Sequence, residues 1–103
     1  MRIAQINLPV NGNNGESLSV VHDDLARDLA RLFGGYTCTY GMGGWLNDGA
    51  VQTEPVAVYQ VAFVGNVGDV ETFKGLVHAA GKAAGQIAMF YVIDGEAEIV
   101  TIR

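Results

Sequence analysis

The stretch VAVYQVAFV at residues 56–64 decides the fold, because apolar side chains occupy both of its alternating sets of positions. Successive residues of a strand point to opposite faces of a sheet. One set is Ala57, Tyr59, Val61 and Phe63, and the other is Val56, Val58, Ala62 and Val64. Only Gln60 interrupts the second set. The pattern predicts a central strand that is apolar on both faces.

Residues 87–93, IAMFYVI, repeat this two-sided pattern. Two helices can cover only one face of a sheet, and a soluble monomer rarely leaves a large continuous apolar patch in water. We therefore expect the second face to be covered. A homodimer packed sheet against sheet is the simplest cover, since twofold homodimers are the commonest oligomers. A ligand, a different protein or the chain's own glycine-rich loop are the alternatives.

The first helix is predicted over residues 18–33. Ser17 precedes it as a cap, and Gly34 and Gly35 supply a left-handed stop. Its apolar residues recur at intervals of three and four, as one face of a helix requires. They are Leu18, Val21, Leu25, Leu29 and Leu32.

The second helix is predicted over residues 70–84, with Asp69 as its cap, after a loop at residues 65–68. Gly75 and Gly81 lie inside it, and each destabilises a helix by about 1 kcal/mol relative to alanine. Their presence predicts close packing of this helix against the sheet.

Strands are predicted at residues 2–10, 36–40, 56–64, 87–93 and 97–102. Asp48-Gly49 and Asp94-Gly95 are hairpin signals. The first joins two short arms, residues 45–46 and 50–53, and Pro55 separates them from the central strand. The element order predicts an α+β, ferredoxin-like βαββαβ fold in a single domain, residues 1–103. Its antiparallel sheet carries two helices on one face and an extra C-terminal hairpin strand.

Composition limits the classes of function. The 103 residues are half hydrophobic and carry a net charge of −5, which disfavours disorder and opposes contact with nucleic acid. Neither a signal peptide nor a membrane-spanning segment is indicated, so we expect a cytoplasmic protein with no membrane partner. His22, His78 and Cys38 lack the spacing of metal ligands or of a catalytic set, and no metal, cofactor or catalytic residue is predicted.

The segment Gly41-Met42-Gly43-Gly44-Trp45 has two interpretations. Serial glycines let a backbone approach a ligand closely, but the simpler interpretation is a glycine-rich bulge before a hairpin, with Trp45 capping the core. Glu54, which precedes Pro55 and lies near the Trp45 hairpin, is the first acidic residue to consider for an acid–base role. The candidate ligand-binding residues at this end of the sheet are Tyr40, Gly43, Gly44, Trp45, Glu54, Tyr59 and Gln86.

Several short motifs carry a resemblance. They are Leu32-Phe33-Gly34-Gly35-Tyr36-Thr37, Gly43-Gly44-Trp45, Asp48-Gly49, Glu54-Pro55 and Gln86. In this pattern the chain resembles small uncharacterised bacterial and phage proteins over residues 25–93. The resemblance implies the same fold, and it implies that the segment from Trp45 to Glu54 acts as a unit. It implies no activity.

Three functions fit the sequence. The first is a non-enzymatic homodimeric binding or regulatory protein, encoded by a phage or a mobile element. The second is a small-molecule enzyme of the dimeric α+β barrel kind, with a cavity between two sheets. The third is an acidic inhibitor of a host protein, acting through Asp23, Asp24 and Asp28.

Overall fold

The computed structural model describes residues 1–64 and 66–103. The described residues form seven elements in the order β1 (Arg2–Pro9), α1 (Ser19–Phe33), β2 (Thr37–Asn47), β3 (Ala50–Phe63), α2 (Val67–Ala83), β4 (Ala88–Ile93) and β5 (Glu96–Thr101). The five strands form one antiparallel sheet in the order β2-β3-β1-β4-β5. The predicted α+β, ferredoxin-like fold is confirmed, including the extra strand β5 after the turn at Asp94 and Gly95.

Both helices lie on one face of the sheet, which we call the helix face. Leu25 and Leu29 of α1 and Phe73 and Val77 of α2 are buried against it. The strand side chains beneath them are Ala4, Ile6, Leu8, Ala57, Tyr59, Val61, Phe63, Met89, Tyr91 and Ile93. This set contains every residue that the sequence assigned to the first face of residues 56–64. Neither described helix is long and apolar enough to cross a membrane.

Helix α2 begins earlier than the sequence predicted. The side chain of Asn66 accepts a hydrogen bond from the backbone N–H of Asp69 at 2.8 Å, so Asn66 is the cap and Asp69 lies in the first turn. Asparagine accepts from the N–H groups that a helix start leaves unpaired. Val67 and Gly68, predicted to lie in a loop, therefore belong to the helix, and Gly65 lies outside the described residues.

The β2–β3 hairpin is one continuous ladder, whereas the sequence predicted a break at each of its glycines and at Pro55. Pairing runs without a bulge from Thr37↔Gln60 to Asn47↔Ala50. Pro55 is tolerated because its carbonyl accepts from Val10 N–H at 3.1 Å, on the β1 side. The nitrogen and the carbonyl of a strand residue point to the same neighbouring strand. The nitrogen of Pro55 therefore points towards β1, which has ended at this level, so no hydrogen bond of the β2–β3 ladder is lost.

The far half of this hairpin, residues 42–55, projects beyond β1, whose last pair with β3 is Pro9↔Val56. We call it the β-arm. Its apolar side chains are largely in water, with Met42 69%, Leu46 72% and Val51 69% exposed. Trp45 is 52% exposed, so it does not cap the core as the simpler interpretation required.

The second face of the sheet is uncovered in the described single chain. It carries Ile3, Gln5, Asn7, Val56, Val58, Gln60, Ala62, Ala88, Phe90, Val92 and Ile99. Ile3 is 52% exposed and Ile99 is 73% exposed, while a row of amides from β1 and β3 lies between the apolar groups. The glycine-rich segment does not fold over this face, since residues 41–45 lie within β2. That alternative cover is therefore wrong.

The two glycines of α2 differ in their surroundings, and alanine should affect stability in opposite directions at the two positions. A Cβ at Gly81 would lie 2.5 Å from Met89 Cγ and 2.9 Å from Ile102 Cδ1. We expect Gly81→Ala to lower the free energy of unfolding by about 1–2 kcal/mol, because overpacking outweighs the gain in helix propensity. Gly75 is exposed, and a Cβ there would have no neighbour within 4 Å, so Gly75→Ala should raise the free energy of unfolding by about 1 kcal/mol.

Urea unfolding of the two variants checks this pair, with the unaltered chain as the reference. Stabilisation by both substitutions would show that α2 does not press on β4 at Gly81. In the structure, the close packing that the sequence predicted at both glycines is present at Gly81 and absent at Gly75.

Candidate functional site

Five of the seven candidate ligand-binding residues lie together in an open groove of about 200 Å³. They are Gly43, Gly44, Trp45, Glu54 and Gln86. The groove lies where the β-arm leaves the sheet, and it is also lined by Asn7, Pro9, Val56, Ala88 and Phe90. The sequence analysis did not single out Asn7 and Phe90. Counting alternate residues along their strands would have placed both on the second face.

Strand register explains why Trp45 and Glu54 share the groove. Gly43 pairs with Glu54 and Trp45 pairs with Gln52, so all four lie on the same face of the hairpin. A Cβ at Gly43 would lie 3.1 Å from Val56 Cγ1, which is a tight contact. The absence of a side chain at Gly43 therefore leaves open the part of the groove beside Val56.

Gln86 enters the groove from the segment between α2 and β4. Its side-chain nitrogen donates to Asn13 Oδ1 at 3.4 Å and to the Ala84 carbonyl at 3.3 Å. The Asn13 side chain in turn donates to the Gly85 carbonyl at 3.2 Å. The asparagine-rich loop after β1 is thereby held to the start of β4, and it supports Gln86 at the groove margin.

Tyr40 and Tyr59 are not in this groove. Tyr40 pairs with Ala57, and Ala57 and Tyr59 both lie on the helix face, so the two tyrosines point away from Glu54. Tyr40 lines a separate cavity of about 240 Å³ with His22 and Asp23. The structure therefore divides the predicted single site between the two faces of the sheet.

Tyr59 is buried, and its hydroxyl lies 2.6 Å from His22 Nδ1. Burial raises the pKa of Tyr59, and the neighbouring Cys38, Tyr40 and Tyr36 raise it further. The phenol therefore stays protonated and remains a hydrogen-bond donor. His22 is half-buried, and no signal in the sequence indicated its two hydrogen bonds.

The groove combines one carboxylate, two aromatic rings and two amides. Glu54 is the one titratable side chain among its lining residues in the described chain. A carboxylate beside an indole attracts an organic cation, through charge and through the face of the ring. Aromatic and amide groups suit a flat heterocycle with hydrogen-bonding edges. Within residues 1–64 and 66–103, no three His, Cys, Asp or Glu side chains are grouped as a metal site.

Solved structures share this fold. A phage SAM lyase in complex with S-methyl-5'-thioadenosine superposes with a TM-score of 0.71 and 13% identity, over 97% of this chain and 88% of that one. The phage SAM lyase in its apo state gives 0.65 and 16% identity, over 99% and 90%. The PII-like protein CutA from Nostoc gives 0.62 and 16% identity, over 90% and 78%. Comparisons with protein-family models and with curated proteins find no match.

Proposed function

We propose that this chain is a self-associating phage-type protein that binds S-adenosylmethionine (SAM) in the Trp45–Glu54 groove and cleaves it to S-methyl-5'-thioadenosine. The observation that carries the proposal is the groove's pairing of a carboxylate with aromatic and amide groups. It is supported by a fold shared, over nearly the whole chain, with a lyase of that substrate.

The chemistry of SAM fits the groove. The molecule carries a positive sulfonium, a positive ammonium group and a flat adenine ring. Glu54 is a half-buried residue in the groove lining, and its negative charge attracts a cation. Trp45 and Phe90 offer ring surfaces for the adenine or for the sulfonium, and the amides of Asn7 and Gln86 offer hydrogen bonds to ring edges.

The reaction needs no oxidant and no metal. The bond between the sulfonium sulfur and the γ-carbon of the methionine part breaks, and sulfur takes the electron pair to become a neutral thioether. The substrate's own carboxylate oxygen attacks the γ-carbon, so the four-carbon fragment leaves as a lactone. Opposite charges cancel in this step, and a site shielded from water favours such a cancellation. Glu54 acts by holding and orienting the cation.

The size of the groove and its surroundings support self-association. A volume of about 200 Å³ in one chain is below the ~300–1,000 Å³ of ligand pockets. The β-arm and the second face expose apolar side chains next to the groove. A second copy placed against the second face would supply the missing wall and cover those side chains. A homodimer is the simplest such assembly.

A charge placed on the second face should break the assembly. We expect the unaltered chain to sediment as an oligomer at micromolar concentration and Val58→Lys to sediment as a monomer, because an apolar interface excludes an unpaired ammonium group. Val20→Lys on α1 is the matched control, since Val20 is 69% exposed and lies on the other side of the sheet. A monomeric unaltered chain would overturn the proposed assembly.

The decisive experiment incubates the purified chain with SAM and measures S-methyl-5'-thioadenosine by liquid chromatography and mass spectrometry. Formation of the thioether with a lactone supports cleavage. SAM that binds but returns unchanged supports the second candidate, a non-enzymatic binding or regulatory protein, which the fold shared with a PII-like protein favours. The absence of binding at millimolar SAM would contradict both SAM cleavage and a binding role for SAM.

A further inference from the structure

His22 connects helix α1 to the end of strand β1. Its Nε2 atom lies 2.7 Å from the Pro9 carbonyl oxygen, and its Nδ1 atom lies 2.6 Å from the Tyr59 hydroxyl. The side chain is half-buried, and its ring lies 5.8 Å from the Tyr59 ring. One imidazole thus bonds to both of the central strands, β1 and β3.

The partners fix the tautomer of His22. A carbonyl oxygen only accepts, so Nε2 carries the proton and donates to Pro9. Nδ1 of the neutral ring is then an acceptor, and it receives the proton of the Tyr59 hydroxyl. Both nitrogens are used, which restrains the ring and the backbone carbonyl to which it donates.

The restrained backbone belongs to the groove. Pro9 lines the groove on the second face, while its carbonyl bonds to His22. The next residue, Val10, donates its N–H to the Pro55 carbonyl at 3.1 Å, and Pro55 directly follows Glu54. Two hydrogen bonds therefore lead from His22 to the backbone that carries the groove carboxylate.

We propose that His22 is a positioning residue, which with Tyr59 fixes the Pro9 wall of the groove and the Glu54 backbone at the spacing that the ligand needs. The ligand named in this inference rests on the proposed function, but the coupling of His22 to the groove does not.

The kinetic test compares His22→Ala with His22→Gln. We expect His22→Ala to raise KM for SAM about tenfold, with kcat changed less than about threefold, because a displaced wall and Glu54 backbone weaken binding while both reacting groups belong to the substrate. An amide offers one donor and one acceptor side by side, so His22→Gln should restore KM to within about threefold. Equal KM values in all three proteins, or no rescue by glutamine, would overturn the inference.

A second test needs no ligand. Trp45 is the only tryptophan and lines the groove, so its emission reports on the groove wall. We expect the emission maximum of His22→Ala to differ from that of the unaltered chain, whereas His22→Gln and the control His78→Gln, on α2, should match the unaltered chain. An emission maximum in His22→Ala equal to that of the unaltered chain would contradict the coupling even if SAM binds normally.

Discussion

Replacing Glu54 with glutamine is expected to lower kcat/KM for SAM cleavage about 100-fold or more. The substitution keeps the shape of the side chain and removes its negative charge. An unpaired cation in a partly desolvated site costs about 2–5 kcal/mol, which corresponds to a loss of about 30-fold to several thousand-fold, and the expected loss lies within this range. Steady-state formation of S-methyl-5'-thioadenosine at several SAM concentrations measures the effect.

The matched control is Glu96→Gln, which removes the same charge from an exposed position on β5, outside the groove. It should change kcat/KM by less than about twofold, since exposed charges contribute little. Unfolding of Glu54→Gln should match that of the unaltered chain, because Glu54 is not part of the core. Equal activity of the two variants would show that the groove carboxylate does not bind the cation.

Replacing Phe73 with alanine should destabilise the chain by about 3–5 kcal/mol, the usual cost of a large cavity in a core. Phe73 is only 1% exposed and is among the largest fully buried side chains. Its ring contacts Phe33 at the end of α1 at 6.2 Å and Tyr91 on β4 at 6.3 Å, measured between ring centroids. Loss of this ring therefore loosens both helices and the sheet together.

Phe90→Ala is the matched control for this prediction. Phe90 is 36% exposed on the second face, so its removal should cost the isolated chain about 1 kcal/mol or less while it weakens ligand binding and self-association. Urea unfolding at a concentration where the chain is monomeric compares the two variants. A larger loss for Phe90 than for Phe73 would mean that the second face, and not the helix face, holds the main core.

Most of the fold could be predicted because its signals are local. The stripe of α1, the glycine that ends it and the turns at Asp48-Gly49 and Asp94-Gly95 each act within a few residues. The left-handed conformations of Gly34, Asp48 and Asp94 show why those turns lie where the sequence placed them.

The parts that failed depend on contacts that sequence spacing does not reveal. A proline normally interrupts a strand, and Pro55 fits within β3 only because β1 ends beside it. Trp45 and Glu54 were expected to share a site with Tyr40 and Tyr59. Counting along each strand would have separated them, because cross-strand partners share a face and the pairing places Tyr40 opposite Ala57. Local pattern defines the elements, whereas register decides which side chains meet.

The outer edge of β2 has a consequence for how the chain must be handled. Its eleven residues, Thr37–Asn47, contain neither a charged side chain nor a proline, the features that usually keep a free strand from recruiting another. Within the described sheet β2 pairs on one side alone, so a row of backbone donors and acceptors is left open. Edge-to-edge association, with slow fibril growth in concentrated preparations, is the hazard to expect.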